Sequence, residues 1–481
     1  MPIANERMIS MKFRVTESLT AKVWSHLSNS DVPGCGSLDQ AHMEDWVKEI
    51  NNEIYIHSYI PSVVHGYLGI EKNFGVTRFI PIITKEDMAV YYHICGEIGE
   101  RVIKDVENIY GGWRSIPTSS GQDSTDIEEE AALFQENYFS SPFSNAAWFQ
   151  QFQSFNELVR NLVGSGAVGN YVVKTDVANF FDSIDIGRLT RKLRGQAPEL
   201  NEHINLLEVF LGYWNRRTSG YQQSSRGIPQ EIISDGSRNL SHFYLQDFDR
   251  KFKLYCEHRR LVYIRWHDDI LIFGPSPKSL ESAVYNASKL LLSEGLNLNA
   301  SKTKAFSRRE FEQYRGLRAL SAIENRDREG FRRELSIALK AHRTNPIKLD
   351  TIFRAAIGFS HKVGAEPSSF ETRTVFELLK KNPHFIGSLN STQLFRLITL
   401  SGNPKVTFSY LIRQVSSREA SAPKATMLSL VRKTSKSLQR IGISRSDQER
   451  SIAELRRSSE DSELLNNLCI PYALSSLQTL P

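Results

Sequence analysis

The sequence predicts an α+β fold, with strands in the middle of the chain and helices dominating its C-terminal third. The segments Tyr171–Ile184 and Tyr263–Phe273 are short, apolar and rich in β-branched and aromatic residues, which is typical of buried strands. From about residue 325 onward the apolar residues recur at helical spacing, for example in Phe331–His342 and Thr351–Val363. A chain of 481 residues with this change of pattern is expected to contain two or three domains.

The composition is that of a globular protein, with 40% hydrophobic and 24% charged residues. No apolar run reaches the length of a membrane span and the N-terminal segment lacks a secretory signal, so we expect a cytoplasmic protein without a membrane partner. The four cysteines form no CxxC pair, which favours reduced thiols over disulfides or a zinc site. A net charge of +6 permits nucleic-acid binding without demonstrating it.

Two adjacent carboxylates, Asp268 and Asp269, interrupt the apolar segment YIRWHDDILIF. Gly274-Pro275 ends this segment, so we expect a β-hairpin with the two aspartates at its turn. Adjacent carboxylates repel each other unless a cation neutralises them, and Mg²⁺ is the usual hard divalent ion for oxygen ligands. Taken alone, the pair is as consistent with a solvated turn as with a metal site.

A third carboxylate, Asp176, follows the apolar start of YVVKTDVANFFDSI. If a core strand ends at this residue, its side chain can meet the aspartate pair across a sheet. Three convergent carboxylates form the kind of two-metal site that stabilises the attacking and leaving oxygens of a phosphoryl transfer. Asp182 lies beyond the two phenylalanines, and we expect it to be a cap or a local hydrogen-bonding group rather than a ligand.

Two further segments carry residues suited to nucleotide binding, and each has an ordinary structural alternative. Lys72-x-x-Gly75-x-x-Arg78 predicts two strands around a glycine turn, whose two cations could bind a triphosphate or simply be solvated. In RGIPQ a turn leads to Gln230 and then to a helical pattern. Gln230 could contact an incoming nucleotide, or the segment could be a plain loop-to-helix junction.

The remaining polar segments are less informative. Residues 111–131 are rich in Gly, Ser, Thr, Asp and Glu, which predicts a loop or an insertion. Between residues 401 and 460 Lys and Arg outnumber Asp and Glu more than twofold. A basic helical face there could bind phosphates, and a solvated face is an equal alternative.

Together these segments resemble the reverse transcriptase family over roughly residues 65–320, in the family's order. YVVKTDVANFFDSI is similar to the first catalytic motif, RGIPQ to the second, and YIRWHDDILIF to the third, where the family usually has Tyr-x-Asp-Asp. LNLNASKTK and YRGL are similar to the two motifs that close the palm, and the Lys72/Arg78 segment is similar to the basic fingers hairpin. The resemblance implies a right-hand polymerase fold followed by an α-helical C-terminal domain.

The resemblance also implies a domain organisation. Residues 1–165 would form an N-terminal region and fingers, with the basic hairpin at 70–85 and the polar insertion at 111–131. Residues 166–320 would form a palm with an antiparallel sheet and the catalytic motifs. Residues 321–481 would form a helical thumb and a C-terminal helical domain, through which the protein could self-assemble.

Catalytic roles follow from the same resemblance. Asp176, Asp268 and Asp269 would hold two Mg²⁺ ions, with Mn²⁺ as an alternative ion, and the backbone carbonyl of Val177 would assist them. Bound in this way, the ions activate a 3′-hydroxyl and stabilise the departing pyrophosphate. Lys302 would lie near that pyrophosphate and donate a proton to it.

The resemblance assigns nucleotide binding to four residues. Lys72 and Arg78 would bind the triphosphate, and Gln230 would touch the incoming nucleotide. Phe181 lies where the family has its aromatic steric gate, five residues after Asp176. A bulky ring there leaves no room for a 2′-hydroxyl, so the expected substrates are dNTPs and the expected product is DNA.

Three features depart from the family's common pattern. Trp266 replaces the usual tyrosine and is followed by the bulky His267, and Glu231 replaces the glycine that usually follows Gln230. The C-terminus shows neither a maturase-like extension nor the Val-Thr-Gly motif of retron enzymes. These departures, with the insertion and the long helical tail, are most similar to the bacterial defence-associated reverse transcriptases, which include the abortive-infection enzymes.

The expected function is therefore RNA-directed DNA synthesis in antiphage defence, templated by an associated non-coding RNA or by no template. A mobile-element enzyme of the intron or retron kind is one alternative. RNA synthesis from NTPs is another, against which Phe181 argues. A non-catalytic nucleic-acid-binding assembly subunit is the third, against which the presence of all three carboxylates argues.

Overall fold

A computed structural model describes residues 12–31, 40–73, 76–111, 145–215, 227–230, 235–341, 348–460 and 462–478. The predicted insertion at 111–131 lies outside these residues except for Gly111, and Glu231 lies outside them as well. The strands are β1 (Tyr67–Asn73), β2 (Val76–Pro81), β3 (Ile109–Tyr110), β4 (Tyr171–Asp176), β5 (Val262–Trp266), β6 (Asp269–Gly274) and β7 (Lys304–Ser307).

Helices precede, surround and follow these strands, which confirms the predicted α+β class. The helices are α1 (Glu17–Asn29), α2 (Gln40–Tyr55), α3 (Lys85–Val102), α4 (Asn145–Ser165), α5 (Phe180–Ser183), α6 (Ile186–Gln196), α7 (Asn201–Tyr213), α8 (Asp235–His258), α9 (Pro277–Ser293), α10 (Arg308–Arg315), α11 (Leu317–Glu324), α12 (Arg328–Ala341), α13 (Leu349–Lys362), α14 (Phe370–Lys381), α15 (Ser391–Thr399), α16 (Pro404–Ser416), α17 (Ser421–Arg440), α18 (Arg445–Arg457) and α19 (Ile470–Gln478). None of the helices described is long and apolar enough to cross a membrane.

A five-stranded sheet with the order β3-β5-β6-β4-β7 lies at the centre. Strand β3 runs parallel to β5, and every other pair is antiparallel. β5 and β6 form the predicted hairpin, with Trp266 opposite Asp269 across a turn of two residues. β4 pairs with β6 so that Asp176 also lies opposite Asp269.

Both faces of this sheet are covered, which explains why its central strands are almost continuously apolar in sequence. Successive side chains of a strand point to opposite faces. Val173 and Ile272 therefore join a core with helices α8 and α9. Val172 and Leu271 face the other way and pack with residues of α4 and α10.

The hairpin β1–β2 packs on the C-terminal helices. Leu68 and Ile80 are almost fully buried in the same hydrophobic core as α13 to α19. The backbone N–H of Gly69 donates to Ser421 Oγ at 2.7 Å. The hairpin that the sequence assigns to the fingers therefore shares its core with the C-terminal helical region.

A buried polar cluster attaches the C-terminal helices to the N-terminal region. Asp31, 9% exposed, follows α1 and accepts bonds from the backbone N–H and Oγ of Ser391 at 2.8 and 2.6 Å. Lys433 Nζ lies 2.6 Å from the same carboxylate, and Ser429 Oγ donates to it at 3.2 Å. One carboxylate thus joins the start of α15 to two positions on α17.

Replacement of Asp31 by alanine is expected to lower the free energy of unfolding by about 2–4 kcal/mol, because Lys433 and two serines lose a buried partner. Urea unfolding would measure the change. Asp350→Ala is the matched control, since within the described residues Asp350 forms a 3.8 Å ion pair with Arg354 and its side chain is 43% exposed. Equal small losses in the two variants would contradict this role for Asp31.

Several of the basic residues between 401 and 460 form ion pairs or hydrogen bonds with other parts of the protein. Arg418 lies 2.9 Å from Glu71 of β1, and Lys405 lies 3.0 Å from Asp447. Lys424 donates to the carbonyl of Ser458. These cations, like Lys433, hold neighbouring elements together, a role that neither the phosphate-binding nor the solvated interpretation included.

Candidate active site

The three predicted carboxylates converge at one edge of the central sheet. Asp176 is the last residue of β4, and Asp268 and Asp269 lie at the β5–β6 turn beside it. The backbone N–H of Val177 donates to the carbonyl of Asp268 at 3.2 Å, which ties the end of β4 to the turn. The structure therefore brings together all four residues that the resemblance assigns to metal binding.

Two lysines neutralise two of these carboxylates. Lys302 Nζ lies 2.5 Å from Asp176 Oδ2, and Lys174 Nζ lies 2.5 Å from Asp269 Oδ1. The Lys302 side chain is 62% exposed, whereas that of Lys174 is 11% exposed. Lys174 was not among the predicted site residues, although a lysine within an otherwise apolar strand is a signal that could have identified it.

The electrostatics of the three carboxylates differ. Burial, together with the neighbouring charges of Asp269 and Asp176, raises the pKa of Asp268 to about 6. Burial also acts to raise the pKa of Asp269, but the nearby cations Lys174, Lys348 and Arg315 together lower it overall. Burial acts to lower the pKa of Lys302, yet its hydrogen bond to Asp176 raises it overall.

The donor set fits a divalent cation. Asp176 Oδ1 is buried and accepts no hydrogen bond from the described residues. The pKa of Asp268 is raised first by burial and then by the charges of Asp269 and Asp176, and a bound cation would offset both effects. In this structure, however, no three His, Cys, Asp or Glu side chains of the described residues form a group ready to hold a metal ion. Lys302 and Lys174 pair with Asp176 and Asp269, so these two carboxylates carry balanced charges in this structure.

The alternating pattern of LNLNASKTK predicts a short strand over Leu296–Lys304, and the structure differs from this prediction. The strand β7 begins only at Lys304, and Ala300–Lys302 forms a 3₁₀ turn. The N–H groups of Lys302 and Thr303 close this turn by donating to the carbonyl of Asn299 at 3.2 and 3.1 Å, and Asn299 connects it to the end of β4 by donating its N–H to the carbonyl of Asp176 at 2.8 Å. This connection places Lys302 directly over that carboxylate.

Phe181 lies in the short helix α5, next to the carboxylate edge. Its carbonyl accepts a bond from the N–H of Ile228 at 3.0 Å, so the RGIPQ loop packs directly on this segment. Gly227 has a φ of +65°, and a Cβ there would lie 2.3 Å from the carbonyl oxygen of Phe181. Only glycine permits this close approach. The Oε1 atom of Gln230 is buried and has no hydrogen-bond partner among the described residues.

The fingers hairpin contributes one cation to the same region. Arg78 Nη2 lies 3.6 Å from Asp182 Oδ2, beside Phe181. Asp182 therefore forms an ion pair with a residue distant in sequence, a contact that the expected cap or local hydrogen bond did not include. Lys72 lies in β1, and its side chain is outside the described part of the structure.

Trp266 and His267, which depart from the family's common pattern, both contact neighbouring elements. The ring of Trp266 packs against Phe152 and Phe155, with centroids 5.6 and 5.2 Å away. His267 has a φ of +53° and its backbone N–H donates to the carbonyl of Tyr110 at 3.2 Å. The turn is therefore supported by α4 on one side and by β3 on the other.

Comparison with protein families gives one match. Residues 129–329, which include every catalytic candidate, match the family described as reverse transcriptase (RNA-dependent DNA polymerase). This match agrees with the resemblance drawn from the motifs and with the predicted right-hand polymerase fold.

Individual relatives are distant. The chain is 29% identical over 103 residues to the retron Ec83 reverse transcriptase of Escherichia coli, which is 21% of this chain and 31% of that enzyme. This chain thus aligns with about a third of the length of its curated relative.

Among solved structures, telomerase of Candida albicans in complex with a fragment of telomeric RNA overlaps 78% of this chain and 66% of its own, at 10% identity and a TM-score of 0.35. Telomerase of Candida tropicalis, also with a telomeric RNA fragment, overlaps 83% and 70%, at 11% identity and a TM-score of 0.32. Structural similarity at TM-scores this low supports no conclusion about this chain.

Proposed function

This chain belongs to the reverse transcriptase family through its domain at residues 129–329, and from that premise we propose that it is an RNA-directed DNA polymerase that joins dNTPs. The observation that carries the proposal is the convergence of Asp176, Asp268 and Asp269 at one sheet edge. Divalent ions bound there, Mg²⁺ or Mn²⁺, supply Lewis-acid stabilisation of the reacting phosphate oxygens.

The chain's own residues supply binding and orientation. Arg78, near Asp182, lies within reach of a triphosphate that approaches the carboxylate edge. Phe181 limits space at the sugar, and the Oε1 of Gln230, which has no hydrogen-bond partner in the described part of the chain, offers an acceptor to the nucleotide. Lys302 keeps a charged ammonium beside Asp176, where it can meet the pyrophosphate as it leaves and give it a proton.

The biological role remains that of a bacterial defence enzyme, acting in the cytoplasm against phage with a non-coding RNA template or with none. This role is supported by Trp266 and Glu231, which depart from the family's common motifs, and by the long helical region after residue 320. That region is a surface for a bound RNA or for a second copy of the chain.

A retron-like enzyme is the second candidate, because the curated relative that aligns is a retron reverse transcriptase. It would copy an RNA encoded beside its own gene. A non-catalytic assembly subunit has less support, since the three carboxylates are both present and brought together.

The test is DNA synthesis by the purified full chain, supplied with Mg²⁺ and each labelled dNTP, with and without an RNA template annealed to a DNA primer. Nucleic acid that copurifies with the protein is sequenced in parallel. Templated incorporation supports the polymerase, and a single recurrent copurified RNA identifies its template. A chain that incorporates no dNTP under any of these conditions, with or without its copurified RNA, is not a polymerase.

A further inference from the structure

The turn that carries Asp268 is held in a strained conformation. His267 has a φ of +53°, in the left-handed region that non-glycine residues adopt only at a cost. Such a conformation persists only where the surrounding structure holds it. The N–H groups of His267 and Val177 are bonded to Tyr110 and Asp268, respectively, which fixes two sides of the turn.

A further support of the turn is the side chain of Arg265. Its Nη1 donates to the carbonyl oxygen of His267 at 2.6 Å. The guanidinium is 1% exposed, although it lies only three residues before Asp268. The side chain thus extends from β5 to the turn along the sheet face that packs against α8.

Arg265 is itself held by a buried partner on another element. Its Nε and Nη2 donate to the two carboxylate oxygens of Asp249, on helix α8, at 2.8 and 2.5 Å. Asp249 is fully buried and accepts a further bond from Tyr263 Oη at 2.7 Å. A guanidinium presents donors in a rigid planar fork, so fixing two of them on Asp249 fixes the direction of the third.

A buried ion pair is weak grounds for stability alone, because apolar residues of similar volume often serve as well. What apolar residues cannot supply here is the N–H that reaches the carbonyl of His267. A lysine in place of Arg265 could not span Asp249 and this carbonyl with the same geometry. Arg265 therefore holds the backbone of the turn through its bond to His267, in addition to forming the ion pair with Asp249.

We propose that Arg265, braced by Asp249, is a positioning residue that sets the place of the Asp268 carboxylate through the backbone of His267. The inference rests on the proposed polymerase function and adds a residue that touches neither nucleotide nor metal. A displacement of about 1 Å at a reacting centre can cost on the order of a hundredfold in rate.

The experiment compares Arg265→Lys with Tyr263→Phe in the full chain. Arg265→Lys is expected to lower kcat for dNTP incorporation roughly tenfold to hundredfold, with KM for the dNTP within about threefold. Tyr263→Phe is the matched control, because it removes a bond to the same Asp249 and leaves the His267 contact intact. It is expected to lower the melting temperature and leave kcat within about threefold of wild type.

A second variant covers the case in which Arg265→Lys does not fold. In the Tyr263→Phe background, Arg265→Met with Asp249→Leu replaces the buried pair by apolar side chains and is expected to fold. It lacks the donor to His267, so its kcat should fall as far as that of Arg265→Lys. A kcat equal to that of Tyr263→Phe would overturn the positioning role.

Mn²⁺ binding, followed by electron paramagnetic resonance on each variant, separates this inference from the function on which it rests. Weakened Mn²⁺ binding in Arg265→Lys, with normal binding in Tyr263→Phe, supports the positioning of Asp268 even if wild type incorporates no dNTP. Equal Mn²⁺ binding and equal kcat in the two variants, beside an active wild type, would reject the inference and leave the polymerase intact.

Discussion

Asp268→Ala is expected to lower the rate of dNTP incorporation by roughly 10³-fold or more, because loss of one metal-binding carboxylate removes several kcal/mol of transition-state stabilisation. The measurement is single-turnover extension of a labelled primer in Mg²⁺. Asp105→Ala, which removes an exposed aspartate outside the site, is the control and should extend at the wild-type rate. Undiminished synthesis by Asp268→Ala would show that the catalytic assignment is wrong.

The same variant should not lose stability in a metal-free buffer, which separates a chemical defect from misfolding. The pKa of Asp268 is raised to about 6, so the folded chain disfavours its ionised form. Because the unfolded chain releases this proton near pH 4, the carboxylate destabilises the fold progressively from about pH 4 to about pH 6 and stays unfavourable above that range. Removing it should leave the free energy of unfolding at pH 7 equal to that of wild type or higher.

Phe181→Ala is expected to admit ribonucleotides, with discrimination between dNTP and NTP falling roughly tenfold to hundredfold in kcat/KM. The physical reason is space, since the ring that blocks a 2′-hydroxyl is removed while the backbone of α5 stays bonded to Ile228. Competing incorporation of matched dNTP and NTP on one primer gives the ratio directly.

Phe181→Tyr serves as the control for this change, because it keeps the bulk of the ring and should retain discrimination against NTPs. If Phe181→Ala remains as selective as Phe181→Tyr, the gate lies elsewhere. Loss of all synthesis in Phe181→Ala, with a melting temperature well below that of Phe181→Tyr, would instead indicate a packing role for this half-buried ring.

The sequence predicted the hairpin with the aspartate pair, the strand that ends at Asp176 and the helical C-terminal region, and all three were confirmed. These features depend on local patterns, namely alternating or continuous apolar residues and a Gly-Pro stop. The segment over Leu296–Lys304 was predicted wrongly as a strand. There, a 3₁₀ turn over Ala300–Lys302, closed by bonds to the carbonyl of Asn299, interrupts the segment, and the spacing of apolar residues does not reveal such a turn.

By itself, then, the sequence indicated the carboxylates of the candidate site, because the motifs that carry them resemble those of the reverse transcriptase family in residue type and order. Only the tertiary structure decided what neutralises and holds them. Lys174 and Arg265 are lone charges in apolar strands, and their partners are distant in sequence, on β6 and α8. The packing of the fingers hairpin on the C-terminal helices was likewise visible only in the structure. Contacts between distant segments arise from packing, and the spacing of residues along the sequence does not reveal them.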